Sequence, residues 1–168
     1  DPEGRAAPHL AADSGHVECT KLVLAEGAAV HLCNRYGNSA LHLACDRGYT
    51  ACSRLLLDAG AAVDQENNDG ATALQCACIT GHPDCVHLTL EFGADVLAQY
   101  YGRTALEWAV SKHQQQCADI LRPLVDAAKK ALEEERARRR GPAAAAASSE
   151  RAALRPTPGH APARGAPP

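Results

Sequence analysis

Cys76, Cys78, His82 and Cys85 form the densest grouping of metal-binding side chains in the chain. A structural zinc site needs four such ligands converging as a tetrahedron, commonly with about two to four residues between paired cysteines. Only one residue separates Cys76 from Cys78. On a helix the two thiols would project about 200° apart, so the grouping does not predict a zinc site. The sequence contains no phosphate-binding glycine loop, no Gly-x-Ser-x-Gly, no His-Glu-x-x-His and no dinucleotide fingerprint. Its carboxylates are scattered, with no convergent pair for acid–base work. The expectation is a chain with no metal, no cofactor and no catalysis.

What positions these residues is a repeat. Gly4, Gly37 and Gly70 fall 33 residues apart, and the same interval relates Gly15, Gly48 and Gly81, and Gly27, Gly60 and Gly93. A fixed period of this size marks stacked units that bury their apolar faces against one another. Aligned on the glycines, the units span residues 1–33, 34–66, 67–98 and 99–126. The third unit is one residue short, so Gly102 follows Gly70 by 32.

Each unit reads as two short helices. Ser39, Thr72 and Thr104 stand where a hydroxyl can cap the first helix. Leu41 with Ala44, Leu74 with Ala77, and Leu106 with Ala109 give it one apolar face. Gly48 and Gly81 end it with left-handed geometry. Second helices are predicted over 17–26, 50–58 and 83–91, and Pro83 suits a first turn. Stretches 61–70 and 94–102 are predicted to be connecting hairpins, with Asn68-Asp69-Gly70 as turn chemistry. The first unit has Pro8 where leucine is expected and no threonine cap, so its first helix is expected to be loose or to start late. In the fourth unit, residues 115–122 remain helix-compatible.

Cys19, Cys52, Cys85 and Cys117 occupy one place in every unit. Equivalent residues on stacked helices lie ~8–10 Å apart, beyond the ~7 Å between Cα atoms that a disulfide tolerates. The eight cysteines are therefore expected to act as small hydrophobes in a reducing compartment. Trp108 shares a column with Leu10, Leu43 and Cys76, which predicts packing between repeats.

The second unit reads Gly37-Asn38-Ser39-Ala40-Leu41-His42-Leu43-Ala44, then Gly48-Tyr49, then Leu55-Leu56-Leu57-Asp58-Ala59-Gly60-Ala61. This pattern resembles the ankyrin repeat, and the resemblance covers roughly residues 1–126. It implies an all-α repeat solenoid of helix–turn–helix pairs joined by β-hairpin loops, working as an intracellular, non-catalytic protein-binding module. It also implies that His9 and His42 hydrogen-bond backbone between units. Partners of such proteins contact hairpin tips and the concave face of the first helices. Carried onto this sequence, those exposed positions are Pro2, Glu3, Arg5, Asp13 and Ser14 in the first unit, and Arg35, Tyr36, Asn38, Asp46 and Arg47 in the second. The third unit supplies Asn68, Asp69, Ala71, Ile79 and Thr80, and the fourth Tyr100, Tyr101, Arg103, Ser111 and Lys112. Tyrosine and arginine are enriched at interface hot spots, which singles out Arg35, Tyr36, Tyr100, Tyr101 and Arg103. The run Gly48-x-x-x-Cys52-x-x-Leu55-Leu56-Leu57 is similar to ankyrin proteins that carry a SOCS box and select substrates for ubiquitin ligases, although no such box is visible in this sequence.

Charge divides the chain. Residues 1–126 carry 8 Lys/Arg against 16 Asp/Glu, and residues 127–168 carry 9 against 4. The segment 124–140 reads as a charged helix with favourable i,i+4 pairs, Glu134 with Arg138 and Glu135 with Arg139, stopped by Gly141-Pro142. Residues 141–168 are Ala/Pro-rich and are expected to be disordered. An alternative function follows from Lys129-Lys130 and the run Arg136 to Arg140, which could enter the nucleus or contact nucleic acid. Without aromatics for base stacking, nucleic acid is not the expected partner. No apolar run approaches the ~20 residues of a membrane span, and the chain has no methionine, so it is expected to be a piece of a longer protein. A monomer in the cytoplasm or nucleus that binds another protein is the expectation.

Overall fold

The computed structural model describes residues 3–153, and the side chains of residues 3–139. The chain divides into two units, Asp1–Lys129 and Lys130–Pro168. Within the first, helices alternate in pairs: α1 (Ala7–Asp13) with α2 (Val17–Ala25), α3 (Ala40–Arg47) with α4 (Thr50–Asp58), and α5 (Ala73–Thr80) with α6 (Pro83–Glu91). A two-stranded hairpin, β1 (Gln99–Tyr100) and β2 (Arg103–Thr104), leads into α7 (Ala105–Ser111) and then α8 (Gln115–Ala153). First helices pack in the order α1, α3, α5, α7, and the second helices α2, α4 and α6 pack likewise.

Helices this short are unstable in isolation, so stacking and capping must hold them. Leu41, Leu56, Leu74, Leu88 and Leu121 are fully buried, each favouring the fold by about 1.5–3 kcal/mol. Ala12, Ala44, Ala77 and Ala109 are also excluded from solvent, and their small size lets neighbouring first helices approach.

Capping follows one device across four repeats in three chemical versions. At the third helical position, a side chain accepts the N–H of the residue preceding the helix. His9 Nδ1 takes Ala6 N–H at 3.1 Å, His42 Nδ1 takes Ser39 N–H at 3.2 Å, Gln75 Oε1 takes Thr72 N–H at 2.9 Å, and Glu107 Oε2 takes Thr104 N–H at 2.7 Å. In return the Thr72 and Thr104 hydroxyl oxygens accept the N–H groups of Gln75 and Glu107, as the capping box requires, whereas Ser39 Oγ bonds the His42 ring instead. The device also corrects the expectation for the first repeat. There α1 starts at Ala7, in register with Ala40 and Ala73, because His9 replaces the missing threonine cap and Pro8 sits in the first turn, where its absent N–H is not needed.

Gly48 and Gly81 close α3 and α5 at φ 76° and 85°. Their hydrogens face His82 and Gln114 of the following repeats so closely that a Cβ would collide with those side chains.

Two further expectations are corrected. The fourth repeat's second helix does not end before a separate charged helix at 124–140. Instead α8 runs from Gln115 through Pro123, Gly141 and Pro142 to Ala153. Alanine, the strongest helix former, fills positions 143–147 on the far side of the expected stop. Cys117, Ala118 and Leu121 of α8 join the core of the first unit, and in the second unit Arg139 pairs with Glu135 at 2.6 Å. Residues 154–168, the remainder of the tail expected to be disordered, lie outside the described residues. Cysteine burial also departs from expectation. Cys52, Cys85 and Cys117 are buried, but Cys19, in the same column, is exposed. Among the described residues, no helix is long and apolar enough to cross a membrane.

Candidate protein-binding surface

The tips of the second and third repeats are built on asparagine. Asn34 Oδ1 accepts the N–H groups of Tyr36 and Asn38 at 2.9 and 3.0 Å, and Asn67 Oδ1 accepts those of Asp69 and Ala71 at 3.1 and 2.9 Å. These side-chain bonds reinforce the backbone bonds from Asn34 N–H to Asn38 O and from Asn67 N–H to Ala71 O, both 2.9 Å, that close each turn, and at the second tip Cys33 and Ser39 form an isolated antiparallel bridge. Successive tips are tied together: Arg35 N–H donates to Glu3 O at 3.0 Å, and Asn68 N–H to Tyr36 O at 3.1 Å. With the backbone so fixed, Arg35, Tyr36, Asn68 and Asp69 project into solvent. Arg35 lies 4.6 Å over the Tyr36 ring, hydrogen-bonds its hydroxyl, and pairs with Glu3 at 3.7 Å.

The fourth tip lacks the asparagine, and the one-residue deletion before it has a structural consequence. Tyr100 pairs with Arg103 across a two-residue turn, with Tyr101 at φ 49° and Gly102 at φ 70°. Both central residues of such a hairpin turn must take positive φ, which costs a non-glycine residue roughly 1–2 kcal/mol. A ring stack offsets that cost. Tyr100 packs on Tyr101 at 4.6 Å and on Trp108 at 5.4 Å, and Trp108 Nε1–H donates to the Tyr100 carbonyl at 3.0 Å. Arg103 and Lys112 lie over the Trp108 ring at 5.2 and 6.0 Å. Tyr101 is exposed, whereas Tyr100 is half-buried.

Between the tips and the first helices of repeats two to four lies a cleft of about 260 Å³. Asn38 and Asn67, joined by an amide–amide bond of 2.8 Å, form one rim. Leu43, Asp46, Cys76, Ile79 and Tyr100 supply the walls, and His42 and Ala71 also reach the lining. The His42 ring is fixed at both nitrogens: Nδ1 accepts at the cap and Nε2–H donates to the Ala71 carbonyl at 3.0 Å. Burial holds that imidazole below its ordinary range, so it stays neutral. Burial also pushes the Cys76 thiol up to about 12, with the Asp46 charge adding to the effect.

The residues expected to bind a partner therefore separate into groups. Asn38, Asp46, Ile79 and Tyr100 converge on the cleft, while Arg35, Tyr36, Asn68, Asp69 and Tyr101 stand on the tips. Arg47 is engaged by Asp13 at 3.1 Å, and Arg103 and Lys112 gather at Trp108. Ala71, expected to be exposed, is buried because its N–H and carbonyl serve Asn67 and His42. Sequence reasoning missed Leu43, Asn67 and Cys76. The column of Leu43, Cys76 and Trp108, expected to pack between repeats, is half-buried and faces the cleft or the tip above it. The available signal was its position: each member sits one residue past the capping side chain, about 100° further round the helix.

The metal-binding side chains have other partners. His82 Nε2 bonds the Asp46 carbonyl at 3.1 Å, and Cys78 and Cys85 are buried. Among the described residues, no three His, Cys, Asp or Glu side chains group closely enough to hold a metal ion.

No curated protein matches the chain. Residues 1–67 and again 55–132 match the family of ankyrin repeats in three copies, a span that takes in every helix pair described above. Glycine period, capped helix pairs and tied tips thus coincide with the matched region, and the chain belongs to the ankyrin-repeat family.

Proposed function

We propose that the chain is a non-catalytic adaptor that binds a partner protein through the cleft and the tips of repeats two to four. Ankyrin repeats are generally protein–protein interaction modules. The observation that carries the finer reading is the convergence of Asn38, Asp46, Ile79 and Tyr100 on one cleft, next to tips bearing exposed Arg35, Tyr36 and Tyr101. Tyrosine and arginine on rigid backbone are suited to binding, since little side-chain freedom is lost on contact. All eight cysteines are free thiols, which favours action in a reducing compartment.

The test is affinity capture with mass spectrometry using three versions of the chain: intact, Arg35→Ala/Tyr36→Ala/Tyr101→Ala, and a deletion of residues 127–168. Partners retained by the deletion and lost by the triple variant support the reading. Partners retained by the triple variant but lost, in a salt-dependent manner, with the basic segment would replace it with a nucleic-acid or tail-based one.

A further inference from the structure

The cleft contains one formal charge. Asp46 lines it, and among the described residues no cation pairs with the Asp46 carboxylate. Nearby cations are engaged elsewhere. Arg47 is held by Asp13, which also takes Arg5 at 3.4 Å, and Arg35 is held by Glu3 and the Tyr36 ring. The other groups facing the cleft are neutral at physiological pH: the buried His42 imidazole, the Cys76 thiol and the Tyr100 phenol, which burial holds above its ordinary range. Both oxygens of the Asn38–Asn67 rim are already accepting hydrogen bonds. The charged acceptor of the lining, with no cation paired to it among the described residues, is thus the Asp46 carboxylate, set beside aliphatic Leu43 and Ile79 and the Tyr100 ring.

We propose that the cleft receives a basic side chain, arginine or lysine, from the partner polypeptide. The charged head meets the Asp46 carboxylate, and the aliphatic stem lies along Leu43, Ile79 and the Tyr100 ring. Long basic side chains bury their stems on apolar surface while keeping the head on a polar group, and an aromatic face adds attraction for the cation. The acidic excess of residues 1–126, 16 Asp/Glu against 8 Lys/Arg, draws basic segments toward the same surface. This inference rests on the cleft being a partner surface, as proposed above.

The experiment selects binders to the full chain from a random displayed-peptide library and measures the affinity of the winners as synthetic peptides. Three versions of the chain are compared: intact, Asp46→Asn, and Ile79→Arg, which places a bulky cation in the cleft. Circular dichroism confirms that each variant is folded. The expected result is a shared basic residue among the peptides. Changing that residue to glutamine, or Asp46 to Asn, then weakens binding about tenfold, and the two changes together cost little more than either alone. Peptides that Ile79→Arg blocks but that lack a basic residue, or that ignore Asp46→Asn, overturn the inference while leaving the cleft as a partner surface. Peptides indifferent to both variants overturn the cleft reading and the inference with it.

Discussion

His42 Nε2 donates a hydrogen bond to the carbonyl of Ala71, 29 residues ahead in the next repeat, at 3.0 Å. Its other nitrogen caps its own helix, so one ring joins the start of a helix to the neighbouring repeat. His9 does the same toward Asn38 O at 3.1 Å, and Gln75 toward Ala98 O at 2.9 Å. Glu107 keeps the cap but, as a carboxylate, has no proton to send onward. The side-chain relay therefore passes through three repeats and stops in the fourth.

The relay makes His42 replaceable only by a side chain with both an acceptor and a donor. His42→Gln, which copies Gln75, is expected to cost about 1 kcal/mol or less. His42→Glu copies Glu107 into a buried position and removes the donor to Ala71. It should cost about 3 kcal/mol, through an unpaired buried charge and an orphaned carbonyl. Urea unfolding of the two variants separates these outcomes.

Acid should loosen the stack through the same residues. Burial lowers the pKa of both His9 and His42 from the ordinary 6.5. The unfolded chain takes up protons near pH 6.5, and the folded imidazoles only below it. Stability is therefore complete above that value and falls as pH drops from 6.5 through the depressed folded values. The urea midpoint should decline over this window, and His42→Gln should flatten the decline.

Two left-handed glycines offer a controlled comparison. Gly60, at φ 87°, has open space where a Cβ would be, whereas a Cβ on Gly48, at φ 76°, would sit 2.5 Å from His82 Nδ1. Alanine at either position carries the conformational cost of about 1–2 kcal/mol. At Gly48 it must also push aside the ring that bonds Asp46 O at 3.1 Å. Gly48→Ala should therefore exceed Gly60→Ala by about 1 kcal/mol in chemical denaturation.

Trp108 braces the fourth tip through its indole N–H. In Trp108→Phe the ring stack is partly kept but the bond to Tyr100 O is lost. A local cost of about 1 kcal/mol is expected, seen as faster amide exchange in β1 and β2 with α3 unchanged. Equal acceleration in α3 would place the indole in the global core instead.

The scaffold was legible because its determinants are local. Periodic glycines, hydroxyl caps and Leu–Ala spacing set α3 to α6 where the sequence places them, within one or two residues. The cleft was less legible, because it depends on which side chains three stacked helices turn toward one another. Leu43 and Cys76 look like core residues in their own repeats and become walls only when α3, α5 and the fourth tip are assembled. Ala71 occupies an exposed column, yet it is buried: its N–H donates to Asn67 Oδ1 within its own turn and its carbonyl accepts from His42 of the preceding repeat. The helix through Pro142 is illegible locally for the opposite reason: Gly141-Pro142 is a stop signal on its own, and the alanine run that follows carries the helix past it.

The difference between the asparagine tips and the fourth tip bears on how this surface could be re-targeted. At the second and third tips, Asn34 and Asn67 carry the turn, so Arg35, Tyr36 and Asp69 are interchangeable cassettes whose replacement leaves the backbone alone, while the Asn68 amide also ties the third tip to Arg35 O at 2.9 Å. At the fourth tip, Tyr101 both adopts the strained turn conformation and presents its ring to solvent. Redesign there cannot alter what is displayed without also rebuilding what displays it, so the fourth tip is the fixed end of an otherwise editable surface.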